Sequence, residues 1–231
     1  MPVIEFDGVG HAYPGADGRP RPALAEVTCR LTEHRIGVIG ANGSGKSTFT
    51  RMINALVIPV TGSVTVDGLD TSRHRRDVRR SVGYCFSDPD AQIVMPTVAE
   101  DLAFGLRRRG MTKAAVAEAV TDTMAAYGLS GYADQPAQQL SGGEKQLLAL
   151  AAVLITRPKI VILDEPTTLL DLGNAAAIRE RIAQLPEQVL LVTHQLDLLS
   201  DMDRALVFRG GRVAFDGDPG AAVEFYRGLF R

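Results

Sequence analysis

Ile36-Gly37-Val38-Ile39-Gly40-Ala41-Asn42-Gly43-Ser44-Gly45-Lys46-Ser47-Thr48 is the stretch on which the fold turns. It starts apolar and strand-like and its middle is rich in glycine, while residues 48–56 read as a helix. Strand, glycine loop and helix in that order make a phosphate-binding P-loop. The glycines let the backbone curl so that successive N–H groups point at phosphate oxygens. Lys46 brings a positive charge to the β- and γ-phosphates, and the Ser47 hydroxyl is a candidate Mg2+ ligand. Gly40 through Thr48 is therefore the candidate ATP-binding segment.

Outward from this loop, strand patterns are expected at 3–6, 27–31, 35–39, 63–68 and 81–86. An Ala-rich stretch follows, with helices expected at 98–109, 113–127 and 143–156. Strand signals return at 160–163, 189–192 and 205–208, with helices at 175–185 and 221–230. The last of these begins Asp218-Pro219, an N-cap followed by proline at the first helical position. Strands separated by helices imply a mainly parallel sheet, and the early hairpin-like strands imply an antiparallel edge. The expected fold class is α/β: a P-loop NTPase (RecA-like) core with an antiparallel β edge and an inserted α-helical subdomain. A single domain over 1–231 would put the core at 1–86 and 158–231 and the helical subdomain at 87–157.

The 231 residues carry 25 Lys and Arg against 27 Asp and Glu, a formal charge of −2. No global basic field gathers nucleic acid or anionic lipid. With 45% apolar and 23% charged residues, the chain can bury a large core. Its longest apolar run, residues 147–155, falls far short of the roughly 20 residues that span a bilayer. Met1-Pro2-Val3-Ile4-Glu5 has no secretory character, so the protein is expected to stay in the cytosol. Cys29 and Cys85 lie in strand-like sequence without metal-ligand spacing and read as buried reduced thiols. The cluster Arg73, Arg75, Arg76, Arg79 and Arg80 has no interleaved aromatics and reads as a solvated helical face.

A second chemical signal is Ile160-Val161-Ile162-Leu163-Asp164-Glu165-Pro166, a buried-type strand ending in two carboxylates. Strand ends in open α/β sheets are where ligands sit. Asp164 is a candidate for holding Mg2+, and Glu165 for polarising the water that attacks a γ-phosphate. Twenty residues earlier, Leu140-Ser141-Gly142-Gly143-Glu144 resembles the signature of ATP-binding cassette ATPases. The resemblance spans essentially the whole chain. It implies that Tyr13, in His11-Ala12-Tyr13-Pro14, stacks on adenine. It implies that Asp171, in Thr168-Leu169-Leu170-Asp171, belongs to the D-loop, and that His194 is the switch histidine touching the γ-phosphate. It also implies a pair of cassettes sandwiching two ATP molecules, with Ser141, Gly142, Gly143 and Glu144 of one facing the P-loop of the other; a homodimer is favoured. Ser141 and Glu144 independently form a Ser-x-x-Glu capping box. That box would turn the Glu144 charge away from phosphate, at a position where the family more often has Gln.

Most cassettes place the Q-loop glutamine directly after the strand at 82–86. Here Ser87 stands there, and Gln92 follows five residues later; both are Q-loop candidates. Asp88 through Gly105 resembles the cassettes of energy-coupling factor importers, and the Ser-Asp-Pro-Asp-Ala-Gln form is most similar to the ATPase of biotin importers. The resemblance implies a peripheral ATPase at the cytoplasmic face of the membrane, bound to a transmembrane coupling subunit and a substrate-binding membrane subunit. The cargo would be a vitamin, biotin favoured, or a cobalt or nickel ion. Ile93-Val94-Met95 is either core or a groove for an amphipathic helix of the membrane partner. The alternative is a non-transport cassette ATPase acting on nucleic acid or ribosomes. It fits less well, because the chain has one P-loop and no room for a long coiled coil.

Overall fold

A computed structural model describes every residue except 17, 108, 169 and 231, so Leu169 of the D-loop stretch and Arg108 of the helix expected at 98–109 lie outside the described residues. In chain order the elements are β1 (Ile4–Pro14), β2 (Pro20–Leu31), β3 (Arg35–Gly40), α1 (Lys46–Ile53), β4 (Thr61–Val66), β5 (Leu69–Asp70), α2 (Arg75–Ser81) and β6 (Val82–Cys85). They continue with α3 (Val98–Leu106), α4 (Lys113–Ala126), α5 (Gly142–Leu154), β7 (Ile160–Asp164), α6 (Leu172–Ala183), β8 (Gln188–Val192), β9 (Arg204–Arg209), β10 (Arg212–Gly217) and α7 (Pro219–Gly228).

Two sheets result, in the orders β2-β1-β4-β5 and β10-β9-β3-β8-β7-β6. Strands β6, β7, β8, β3 and β9 run parallel, so their C-terminal ends share one edge. The parallel strands carry continuous apolar runs; β7 and β8 are buried at every position, as a sheet covered on both faces requires. Helix α1 lies between the two sheets. Phe49 stacks on Phe6 of β1 at 4.2 Å between ring centroids and meets Phe208 of β9 at 4.9 Å. One aromatic column thus locks the helix that follows the P-loop to both sheets. Helices α3, α4 and α5 close a separate apolar cluster around Leu102, Met124 and Leu148.

The first hairpin is longer than its expected strands, 3–6 and 27–31. Register shifts interrupt β1 between Phe6 and Val9 and again near His11, and Gly8 adopts φ 56°. Bulges of this kind break the period-2 alternation by which a strand is read. β10 was not expected at all. Gly210 and Gly211 form a two-residue turn with φ 56° and 77° between the paired Arg209 and Arg212, so a Gly-Gly hairpin signal was there to be read. Helix α6 starts three residues before its expected position because the Asp171 side chain caps it, accepting from Asn174 N–H at 2.9 Å.

Among the cysteines, Cys85 is buried as expected, but Cys29 is only partly so, because its strand lies in the outer antiparallel sheet. Burial, reinforced by Asp216 at Cys29 and by Asp164 at Cys85, pushes both thiols up to about 12. They remain protonated and unreactive. The five arginines at 73–80 are all exposed, on or beside α2.

Candidate functional site

Because the parallel strands end on one edge, residues far apart in sequence meet there. β3 delivers Gly40 and the P-loop, β7 delivers Asp164 and Glu165, β8 leads to His194, and β6 leads to Ser87. A cleft of about 480 Å³ is lined by Tyr13, Lys46, Ser47, Ser87, Asp164 and Glu165, among others. Gly45 sits at φ 108°, and a Cβ there would stand 2.6 Å from the Ala23 carbonyl oxygen, so the loop's turn into α1 requires glycine.

Lys46 Nζ donates to the Gly40 and Ala41 carbonyls at 2.7 and 3.1 Å. Burial lowers its pKa, opposed by the nearby Glu165 and Asp164 carboxylates, which favour the charged ammonium. Ser44 Oγ is buried with no hydrogen-bond partner, and Ser44 is one of the residues around the same cleft. An orphaned donor beside a curled run of N–H groups fits a phosphate oxygen. Tyr13 ends β1 half-exposed, its hydroxyl 3.3 Å from Thr48 Oγ1 and its ring edge-on to His11 at 4.7 Å. Tyr13 is among the residues that line the cleft.

Ser47 Oγ lies 3.4 Å from Asp164 Oδ1. Among the described residues no group of three or more His, Cys, Asp or Glu could hold a metal. One hydroxyl and one carboxylate are hard oxygen donors, and they suit Mg2+, which takes few protein ligands and fills its octahedron with phosphate oxygens and water. Glu165 follows β7 with φ 54°, strained for a residue with a side chain. Its backbone N–H is held by the Val192 carbonyl at 2.9 Å. Its Oε2 accepts from Thr168 Oγ1 at 3.1 Å and stands 2.7 Å from His194 Nδ1. A carboxylate only accepts, so Nδ1 carries the proton. Oε2 is thus engaged twice, and Glu165 lines the cleft.

Other expected site residues fall elsewhere. Ser141 caps α5, with Glu144 Oε2 accepting from the Ser141 N–H and Oγ–H, both at 2.7 Å. Those bonds, with one from Tyr132, hold the Glu144 carboxyl below its ordinary pKa. Ser141, Gly142, Gly143 and Glu144 do not line the cleft, and neither does Asp171. Instead Gly143 lies against Asn174, whose amide donates to Asp171 at 2.9 Å, so the signature turn touches the start of α6. Gln92 also lies off the cleft: its Oε1 accepts from the Phe86 N–H at 3.0 Å, and its Nε2 donates to the Ala149 carbonyl at 2.7 Å. Sequence reasoning missed Thr168 and Tyr84. Thr168 carried the familiar ST-turn residue type three places after Glu165, whereas Tyr84 looked like one more apolar strand residue.

The family described as ABC transporter matches residues 26–168. The chain is 46% identical over 224 residues to the biotin transport ATP-binding protein BioM of Rhizobium etli, covering 97% of each. It is 35% identical to the energy-coupling factor transporter ATP-binding protein EcfA1 of Caldanaerobacter subterraneus, covering 94% of this chain and 81% of that one. Among solved structures it is similar to cbiO1 of Clostridium perfringens, part of the ABC transporter complex cbiONQ, with TM-score 0.81, 28% identity and coverage of 97% and 92%. It is also similar to the dimeric post-hydrolysis ATP-binding cassette MJ0796 bound to ADP and Pi, with TM-score 0.82, 25% identity and coverage of 94% and 98%. With a matching family model over most of its length and relatives of this kind covering nearly all of it, the chain belongs to the ABC transporter family as an ATP-hydrolysing subunit of the energy-coupling factor type.

Proposed function

We propose that two copies of this chain close on two ATP molecules and reopen on hydrolysis, driving a membrane importer from its cytoplasmic face. The observation that carries this reading is the split site: Lys46, Asp164 and Glu165 line one cleft, while Ser141–Gly143 lie outside it at the N-terminus of α5. A helix N-terminus attracts phosphate, so the signature of a second copy completes the cleft. The dimeric, ADP- and Pi-bound relative supports the same arrangement.

In this reading Lys46 and the loop N–H groups hold the triphosphate, and Tyr13 orders the adenine. Ser47 and Asp164 hold Mg2+, which when bound neutralises charge on the phosphate oxygens. Glu165 Oε1 takes the proton of the attacking water, while Thr168 and His194 keep the carboxylate aimed. No helix among the described residues is long and apolar enough to cross a membrane, so the transmembrane parts belong to partner subunits. A second cleft, beside Ile93, Val94 and Met95, with Lys145 and Asp90 paired at 2.7 Å, is where a helix of such a subunit docks. Biotin is the favoured cargo, on the strength of the BioM relative, with a cobalt or nickel ion as the alternative.

The test is Glu165→Gln. Turnover falls by about 10²–10⁴, the scale of general-base assistance. Light scattering finds the variant dimeric at saturating ATP. A variant that binds ATP yet stays monomeric defeats the proposal.

A further inference from the structure

We propose that Tyr84 is a positioning residue for the metal site: its phenol determines which oxygen of Asp164 faces Ser47 and the nucleotide. This rests on the ATPase reading above and adds to it a residue outside the cleft.

Tyr84 lies on β6, paired with Ile162 on β7, and is 7% exposed. Its hydroxyl donates to Asp164 Oδ2 at 2.8 Å. It also lies 3.2 Å from Thr50 Oγ1, on the helix that opens with Lys46. Thr50 is fully buried and Asp164 is 5% exposed.

Proton counting orients the chain. The carboxylate can only accept, and each hydroxyl has one proton to give. If Tyr84 gave its proton to Thr50, while Thr50 bonded back to the Lys46 carbonyl at 3.2 Å, Oδ2 would be left buried without a donor. An unsatisfied buried charged acceptor is the costlier outcome. Tyr84 therefore donates to Asp164, and the one Thr50 proton has the Tyr84 oxygen and the Lys46 carbonyl as its acceptors. A phenol holds its proton at neutral pH, so Tyr84 is a donor there. With Oδ2 capped, Oδ1, 3.4 Å from Ser47 Oγ, is the oxygen turned to the site. The relay also ties β6, β7 and α1 together, so the carboxylate and the P-loop helix hold one relative position.

Partners that orient a metal ligand typically carry 10- to 100-fold in metal affinity. The experiment uses the full chain as Tyr84→Phe, which keeps the ring in the core and removes only the hydroxyl. Mn2+ binding to the ADP-loaded protein is followed by electron paramagnetic resonance, and ADP binding is measured separately in EDTA. The expected result is a Mn2+ affinity about tenfold weaker or worse, with metal-free ADP affinity unchanged within about twofold. Thr50→Val, at the far end of the relay, shifts Mn2+ affinity in the same direction by a smaller factor. Unchanged Mn2+ affinity in Tyr84→Phe, or an equal loss of metal-free ADP binding, overturns the proposal. If Tyr84→Phe does not fold, Thr50→Val decides by the same two measurements. A wild-type chain that binds no Mn2+ with nucleotide overturns the ATPase reading itself, an outcome distinct from variants that match a metal-binding wild type.

Discussion

Gln92 Nε2, on the segment that follows β6, donates to the Ala149 carbonyl at 2.7 Å in the helix that the signature begins. The same amide accepts the Phe86 N–H, so both its ends are committed to backbone. Ser87, by contrast, lines the nucleotide cleft. Gln92→Ala is expected to lower stability by about 1–3 kcal/mol, the cost of leaving buried backbone groups without partners. Ser87→Ala should keep the melting temperature and reduce kcat. Melting curves and ATPase assays on both variants check this; a fully active Ser87→Ala beside an inactive but normally stable Gln92→Ala would move the Q-loop role to Gln92.

Thr168 Oγ1 and His194 Nδ1 share the Oε2 oxygen of Glu165. Removing one hydrogen bond to a charged group costs about 1.5–3 kcal/mol, so Thr168→Val should lower kcat about tenfold or more while leaving ATP affinity alone. Steady-state kinetics beside equilibrium ATP binding separates the two. A change in affinity at constant kcat would mean that Thr168 supports binding instead of aiming the base.

Glu144 faces Ser141, not phosphate, and its depressed pKa marks a carboxylate stabilised by folding. A group whose folded pKa is lowered adds stability above its unfolded pKa, and that contribution disappears as pH falls through the folded pKa. Glu144→Gln keeps the capping-box geometry and loses the charge. The wild type should therefore melt above the variant at neutral pH, and the gap should close below about pH 4. ATPase activity should change less than tenfold; a larger loss would place the carboxylate in the catalytic site.

Val94 is 60% exposed beside the second cleft, so charging it leaves the core intact. Surface substitutions of this kind usually shift stability by no more than about 0.5 kcal/mol. Val94→Glu is expected to reduce copurification with the transmembrane subunits while ATP binding by the free chain persists. Equal loss of both would assign the Ile93-Val94-Met95 segment to packing.

The sequence alone determined the parallel core, the P-loop, the Asp164-Glu165 strand end and both halves of the Ser141–Glu144 capping box. Each is local: a few adjacent residues specify a strand, a turn or a helix start whatever surrounds them. The ends of the first hairpin were less legible, because bulges at Gly8 and near His11 hide the alternation. Tertiary structure alone decided that Tyr84, 80 residues before Asp164, donates to it. It alone set Gln92 on backbone and Ser87 on the cleft. These depend on which strands become neighbours and which way each side chain turns, and that is settled only when α1 is locked between the sheets by Phe6, Phe49 and Phe208. A hydroxyl on an otherwise apolar strand announces no partner until packing brings a carboxylate within reach.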